Sequence, residues 1–181
     1  MSPCASSTPG TGDDVEDDVV GEVWIKAPTN MHGYWCNEEA TRDTLTEDGF
    51  VRTGDGALLR DGYVYMRDRL KDMIVSGGAE NVYPIEIENV LIEHPAINDI
   101  AVIGVPSNRW GGETVKAMVV LNADAALTEA EVIAYARANL AVYKCPTSVE
   151  FLDELPRNPS GKILKRVLRQ PYWNDAEGHI G

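Results

Sequence analysis

From Pro84 to Arg169 the sequence alternates between helix-like and strand-like segments, and this alternation constrains the fold more than any other feature. Pro84 to His94 reads as a helix whose apolar side is supplied by Ile85, Val90 or Leu91, and Ile92, with Pro84 in the first turn and Pro95 just past the end. Ile97 to Val105 and Val115 to Leu121 are apolar enough for buried strands. Thr128 opens a second helix in the Thr-x-x-Glu style with Glu131, carrying Val132, Ile133, Tyr135, Ala136 and Leu140. Ser148 to Leu152 is a further strand, and Lys162 to Arg169 closes the series as a basic helix. The pattern predicts an α+β fold, with these residues forming a small α/β layer domain.

The preceding residues read as β-rich. Residues 1–18 combine Ser, Thr, Pro and Gly with Asp13, Asp14, Glu16, Asp17 and Asp18 and contain no Lys or Arg, so a disordered acidic tail is expected. Gly21 to Ala27 is a strand, and Asn37 caps a helical turn with Glu38 and Glu39 at its start. Gly49 to Asp55 is a strand ending in a glycine turn, and Asp61-Gly62 followed by the aromatic, β-branched run Tyr63 to Met66 reads as a hairpin.

A formal net charge of -13 over 181 residues argues against a general nucleic-acid binder, which needs a basic face, and disfavours an anionic membrane. No run approaches the roughly eighteen apolar residues of a membrane span, and the acidic N-terminus lacks the regions of a signal peptide. Cys4, Cys36 and Cys145 are scattered without a CxxC, as are His32, His94 and His179, so no metal site is expected and a cytoplasmic location is.

Four segments carry chemistry. Leu155-Pro-Arg-Asn-Pro-Ser-Gly-Lys162 is a rigid turn that presents one lysine, a compact charge suited to phosphate or carboxylate oxygens; the alternative is an ordinary solvated lysine. It is no Walker loop, because Pro156 stands where the first glycine belongs and Ile163 where the magnesium-binding hydroxyl belongs. Thr53-Gly54-Asp55 places a carboxylate where it could accept two hydrogen bonds from a ribose diol, or serve simply as a turn aspartate. Asp68 to Asp72 is a charged link suited to a hinge or a plain loop. Ser76-Gly77-Gly78, running on to Asn81-Val-Tyr-Pro84, allows close backbone approach by a thin ligand, or caps the next helix. Arg109 and Trp110 add a guanidinium and a stacking surface, or packing.

Taken together, Gly21-Glu-Val to Gly33-Tyr-Trp35, Thr53-Gly-Asp55, Asp68 to Pro84, and Pro156 to Lys162 resemble the adenylate-forming enzymes in order and spacing. That superfamily contains acyl-CoA synthetases, luciferases and peptide-synthetase adenylation domains. The resemblance spans roughly residues 19–170 and is strongest to fatty acyl-CoA synthetases.

It implies a β-rich end of the large AMP-binding domain at 19–70, the C-terminal AMP-binding-enzyme domain at 71–170 and a tail at 171–181. It further implies that Asp55 and Arg69 hold the ribose of AMP, that Lys71 is the hinge, and that Lys162 reaches the reacting carboxylate and phosphate. Ser76, Gly77 and Gly78 would line the CoA tunnel, with Arg109, Trp110 and Lys144 as weaker candidates for the CoA nucleotide. The implied substrates are a fatty acid, ATP and CoA, with Mg supplied through the large domain.

Two features depart from the pattern. The family's phosphate loop, its adenine-binding segment and the acyl pocket do not occur in this sequence, so the polypeptide is expected not to complete adenylation alone; a separate large-domain chain is one candidate partner, and a natural split subunit and a truncated gene product are both open. Ala79 and Gly112 read as single insertions in loops assigned to CoA. The expected function is therefore the C-terminal part of an ATP-dependent acyl-CoA synthetase. The alternatives are a non-catalytic partner- or nucleotide-binding module and an adenylation domain serving a carrier protein.

Overall fold

The computed structural model describes residues 4–7, 15–78, 80–107 and 111–173. Ala79, Arg109, Trp110, most of the acidic tail and residues 174–181 lie outside them. The chain divides into two compact units, Met1–Lys71 and Asp72–Gly181.

The first unit is a four-stranded antiparallel sheet in the order β1 (Cys4–Ser7), β2 (Gly21–Ile25), β3 (Val51–Arg60) and β4 (Tyr63–Arg69). β1 corrects the expectation of disorder across 1–18, since Cys4 to Ser7 pair with Ile25 to Glu22. These four residues carry no charge, and the free edge of β2 offers them backbone partners. Asp18 is tied down as well: its backbone N–H donates to the Leu59 carbonyl (2.9 Å) and its carboxylate pairs with Arg60.

Asp61 (φ 51°) and Gly62 (φ 78°) form the two-residue β3–β4 turn, with Arg60 opposite Tyr63. Positive φ at both central residues suits the right-handed twist of the strands. β3 does not stop at the expected glycine turn but runs on through it to Arg60. The short helix α1 (Glu38–Thr44) is capped by Asn37, whose Oδ1 accepts the Ala40 N–H at 3.0 Å.

The second unit opens with a small hairpin, β5 (Ile74–Val75) and β6 (Asn81–Val82), followed by α2 (Pro84–Leu91). Its main sheet has the order β7 (Ile97–Pro106), β8 (Glu113–Leu121) and β9 (Ser148–Phe151), antiparallel between the first two strands and parallel between the last two. Helix α3 (Glu129–Asn139) precedes β9, and α4 (Lys165–Trp173) follows it.

Both faces of the β7–β8 pair are covered, so these strands read as continuous apolar runs rather than as alternation. Ile100, Val102, Val115, Ala117 and Val119 pack with Ile87 and Leu91 of α2 and with Val132 and Ala136 of α3. Ala101, Ile103, Val105, Met118 and Val120 pack with Leu155 and with Leu168 of α4. A capping box starts α3: Thr128 Oγ1 accepts the Glu131 N–H, and the Glu131 carboxylate accepts the Thr128 N–H at 2.8 Å. Those hydrogen bonds hold the Glu131 carboxyl below its ordinary range.

Two helix readings need correcting. α2 buries Pro84, Ile87 and Leu91, whereas Ile85 and Ile92 are exposed, because the buried stripe follows the i, i+4 spacing of Ile87 and Leu91. α4 begins at Lys165 rather than Lys162, because residues 158–162 are committed to a turn of their own.

Candidate functional site

Asp55 and Arg69 sit opposite each other on β3 and β4, with the carboxylate 3.2 Å from the guanidinium Nε. Irregularities in the strands create this pairing. Glu22 faces Gly56 and Trp24 faces Arg52, so β3 places Thr53, Gly54 and Asp55 where β2 has only Val23. On the other side, β4 places Arg67 and Asp68 where β3 has only Gly56. Bulges of this kind re-aim side chains out of the regular pleat. Gly54 takes φ +72°, which favours glycine, and Arg69 also donates to the Thr53 carbonyl at 3.3 Å. Both side chains remain partly open to solvent. Lys71 ends this unit on a short 3-10 turn, Leu70–Asp72, and is exposed.

In the second unit, Ser76, Gly77 and Gly78 form the loop of the β5–β6 hairpin and line a cavity of about 370 Å³. Glu80, Ser107, Glu113, Thr114 and Tyr143 complete the lining. Glu80 belongs to the same glycine-rich run, whereas sequence reasoning missed the other four, which come from separate loops and strand ends. Their one available signal was the placement of Ser107 and Glu113 at the ends of two apolar strands.

Glu113 holds the loop in place: its carboxylate accepts the Val75 N–H at 3.0 Å. A Cβ added to Gly104 would lie 2.9 Å from that carboxylate, so Gly104 leaves the room that Glu113 occupies. Gly112 takes φ +65°, and a Cβ there would meet the Val75 carbonyl at 3.1 Å. Gly112 is therefore fitted closely to the glycine-rich loop.

Lys144 does not line the cavity, although its neighbour Tyr143 does. Its ammonium is bound to both Glu86 oxygens, at 2.6 and 2.7 Å. Burial would lower its pKa, but the Glu86 hydrogen bonds and charge outweigh that and raise it.

Lys162 stands on a closed turn. Asn158 Oδ1 accepts three hydrogen bonds: from the Ser160 N–H (3.0 Å), the Ser160 hydroxyl (2.8 Å) and the Lys162 N–H (2.9 Å). The Asn158 N–H donates to the Lys162 carbonyl at 2.9 Å, and Gly161 takes φ +84°. Arg157 clamps the turn to the sheet, donating to the Gly161 carbonyl and to Asp99 on β7, each at 2.6 Å. Beyond the turn, Lys165 pairs with Glu88 of α2 at 2.8 Å. The Lys162 side chain itself is exposed. An anchored backbone bearing an exposed ammonium can deliver a fixed positive charge to an anion.

Asp55 and Arg69 are thus brought together within the first unit, and within the second Ser76, Gly77 and Gly78 share one cavity, which Lys162 does not line. Arg109 and Trp110 lie outside the described residues. Among the described residues, no three His, Cys, Asp or Glu side chains gather closely enough to hold a metal ion. No described helix is long and apolar enough to cross a membrane.

Residues 86–162 match the family described as AMP-binding enzyme C-terminal domain. The sequence is 48% identical over 164 residues to the long-chain-fatty-acid–CoA ligase FadD13 of Mycobacterium tuberculosis, covering 89% of this chain and 32% of that protein. It is 45% identical over 168 residues to ScoC of Streptomyces coeruleorubidus, named a fatty acid–[acyl-carrier-protein] ligase, covering 92% and 32%. The ATP-bound crystal structure of MatB from Rhodopseudomonas palustris superposes with a TM-score of 0.85 at 39% identity, covering 93% of this chain and 33% of MatB. The chain thus spans about a third of the length of each of these relatives. It belongs to the adenylate-forming superfamily and carries that superfamily's AMP-binding C-terminal domain.

Proposed function

We propose that this chain is the C-terminal part of an AMP-forming acyl-CoA ligase with a preference for fatty acids. In this reading a carboxylate oxygen attacks the α-phosphorus of ATP, and the bond to pyrophosphate breaks. A CoA thiolate then attacks the acyl carbon and AMP leaves. Lys162 stabilises the negative charge that accumulates as carboxylate and phosphate meet. Asp55 accepts hydrogen bonds from the ribose diol, and Arg69 orients that carboxylate. Lys71 is the hinge between the two half-reactions, and the CoA arm passes along Ser76, Gly77 and Gly78, with Lys144, Arg109 and Trp110 toward its nucleotide. No step is assigned to Mg.

The observation that supports this reading best is the Lys162 turn, whose backbone is fixed by Asn158 and Arg157 while its ammonium stays in solvent. Such an arrangement suits delivery of charge. The preference for fatty acids draws on the similarity to FadD13. The similarity to ScoC favours a second acceptor, the thiol of a carrier protein, reached by the same kind of arm.

The test is pyrophosphate release from ATP with a panel of fatty acids, for this chain alone and mixed with FadD13 lacking the segment that the chain matches. The reading expects release in the mixture, falling at least about a hundredfold with Lys162→Ala, the scale of one lost electrostatic donor. Release indifferent to that substitution would overturn it. A chain that binds AMP and supports no release in any mixture would instead be a nucleotide-binding module.

A further inference from the structure

Among the described residues Glu22 is the one buried charged residue, with 8% of its surface exposed. A carboxylate held this far from water is costly unless hydrogen bonds satisfy it. Each of its oxygens has a partner: Oε2 accepts the Trp24 indole N–H at 2.8 Å and Oε1 accepts the Gly54 N–H at 3.0 Å. Gly54 lies in the bulge next to Asp55, where no regular strand partner is available to its N–H.

Two further bonds fasten the same bulge: the Thr53 hydroxyl donates to the Val23 carbonyl at 2.8 Å and accepts the Asp55 N–H at 3.1 Å. The peptide groups on either side of Gly54, the second of which leads into Asp55, are therefore held from β2, directly by Glu22 and through the Thr53 hydroxyl. Asp55 itself needs neither contact for burial, because its own side chain is partly exposed and paired with Arg69. What the buried carboxylate secures is direction.

We infer that Glu22 is a positioning residue for the Asp55–Arg69 pair, holding the bulge so that the Asp55 carboxylate meets both hydroxyls of a nucleotide ribose, with Thr53 as the second support. The inference rests on the assignment of Asp55 to ribose above. Glutamine at position 22 has nearly the same shape, but its amide oxygen can accept only one of the two donors, and its NH₂ would face the other.

The experiment compares the Kd of AMP with that of 2′,3′-dideoxy-AMP in the mixture with FadD13 lacking the matched segment, for the parent chain and for Asp55→Asn, Glu22→Gln and Thr53→Val. Two hydrogen bonds to a carboxylate correspond to a ratio of at least about thirtyfold for the parent chain. The expected result is that Asp55→Asn brings this ratio near one and that Glu22→Gln lowers it at least about fivefold. A general loss of folded protein would weaken both nucleotides alike and leave the ratio unchanged, so the ratio separates positioning from stability. If Glu22→Gln does not fold, Thr53→Val must lower the ratio in its place.

A parent ratio that Asp55→Asn abolishes but Glu22→Gln and Thr53→Val leave intact overturns the positioning role. A parent mixture that does not bind AMP, or whose ratio is near one or insensitive to Asp55→Asn, overturns the ribose assignment itself.

Discussion

Lys165 and Glu88 form an ion pair at 2.8 Å with only 14% and 13% of their side chains exposed, joining the start of α4 to α2. The same Glu88 oxygen accepts the Val102 N–H of β7 at 2.7 Å. Glu88→Ala therefore removes two partners at once and should cost about 3 kcal/mol. Lys165→Met leaves the Val102 bond in place and should cost about half as much. Urea midpoints at constant m-value measure both, and the reverse ranking would refute the account.

At high pH two groups act in the same direction. Burial, together with the hydrogen bond to Glu150 and that residue's charge, raises the Tyr172 pKa above the ordinary 10.0. The unfolded chain loses this proton first, so the folded state binds more protons above pH 10 and stability falls as pH rises. Lys144, raised above its ordinary 10.5, contributes stability that is complete below that value and lost as pH climbs through its folded pKa. Tyr172→Phe should flatten the alkaline limb of a plot of denaturation midpoint against pH. An unchanged slope would remove Tyr172 as a cause.

Asn158→Ala deletes an oxygen that serves three donors in an exposed turn. Because the turn is exposed, global stability should fall by less than about 1 kcal/mol. The local effect should be large: amide exchange at Lys162 should accelerate at least about tenfold, with exchange in β7 and β8 unchanged. Retained protection at Lys162 would show that Asn158 is not what closes the turn.

Lys71→Pro fixes φ at the residue that ends the first unit. With the hinge role proposed above, adenylation in the reconstituted enzyme should survive within about threefold while thioester formation drops at least about tenfold. Equal effects on both half-reactions would remove that role.

What could be read from the sequence was what local chemistry encodes. The Thr128–Glu131 box, the Asp61-Gly62 turn and the apolar runs of β7 and β8 each announce themselves within a few residues. The face of α2 was read in part: Leu91 belongs to it, but Ile85 and Ile92 are as apolar as Ile87, and only the packed sheet decides which of these is buried. The supports of the candidate sites were invisible for a different reason. Glu22 reaches 32 residues to Gly54, and Arg157 reaches 58 to Asp99, distances at which no periodicity links the partners. The residues that would touch ligand lie in short motifs, whereas those that hold the motifs are dispersed.

The turn bearing Lys162 also bears on how the protein ages. An asparagine in an exposed turn ordinarily loses its side-chain nitrogen when the next backbone nitrogen attacks the side-chain carbonyl and closes a succinimide. The residue after Asn158 is Pro159, which has no N–H to attack with. The amide on which three hydrogen bonds converge is thus shielded from deamidation by its covalent neighbour, and the turn can keep its chemistry over long storage.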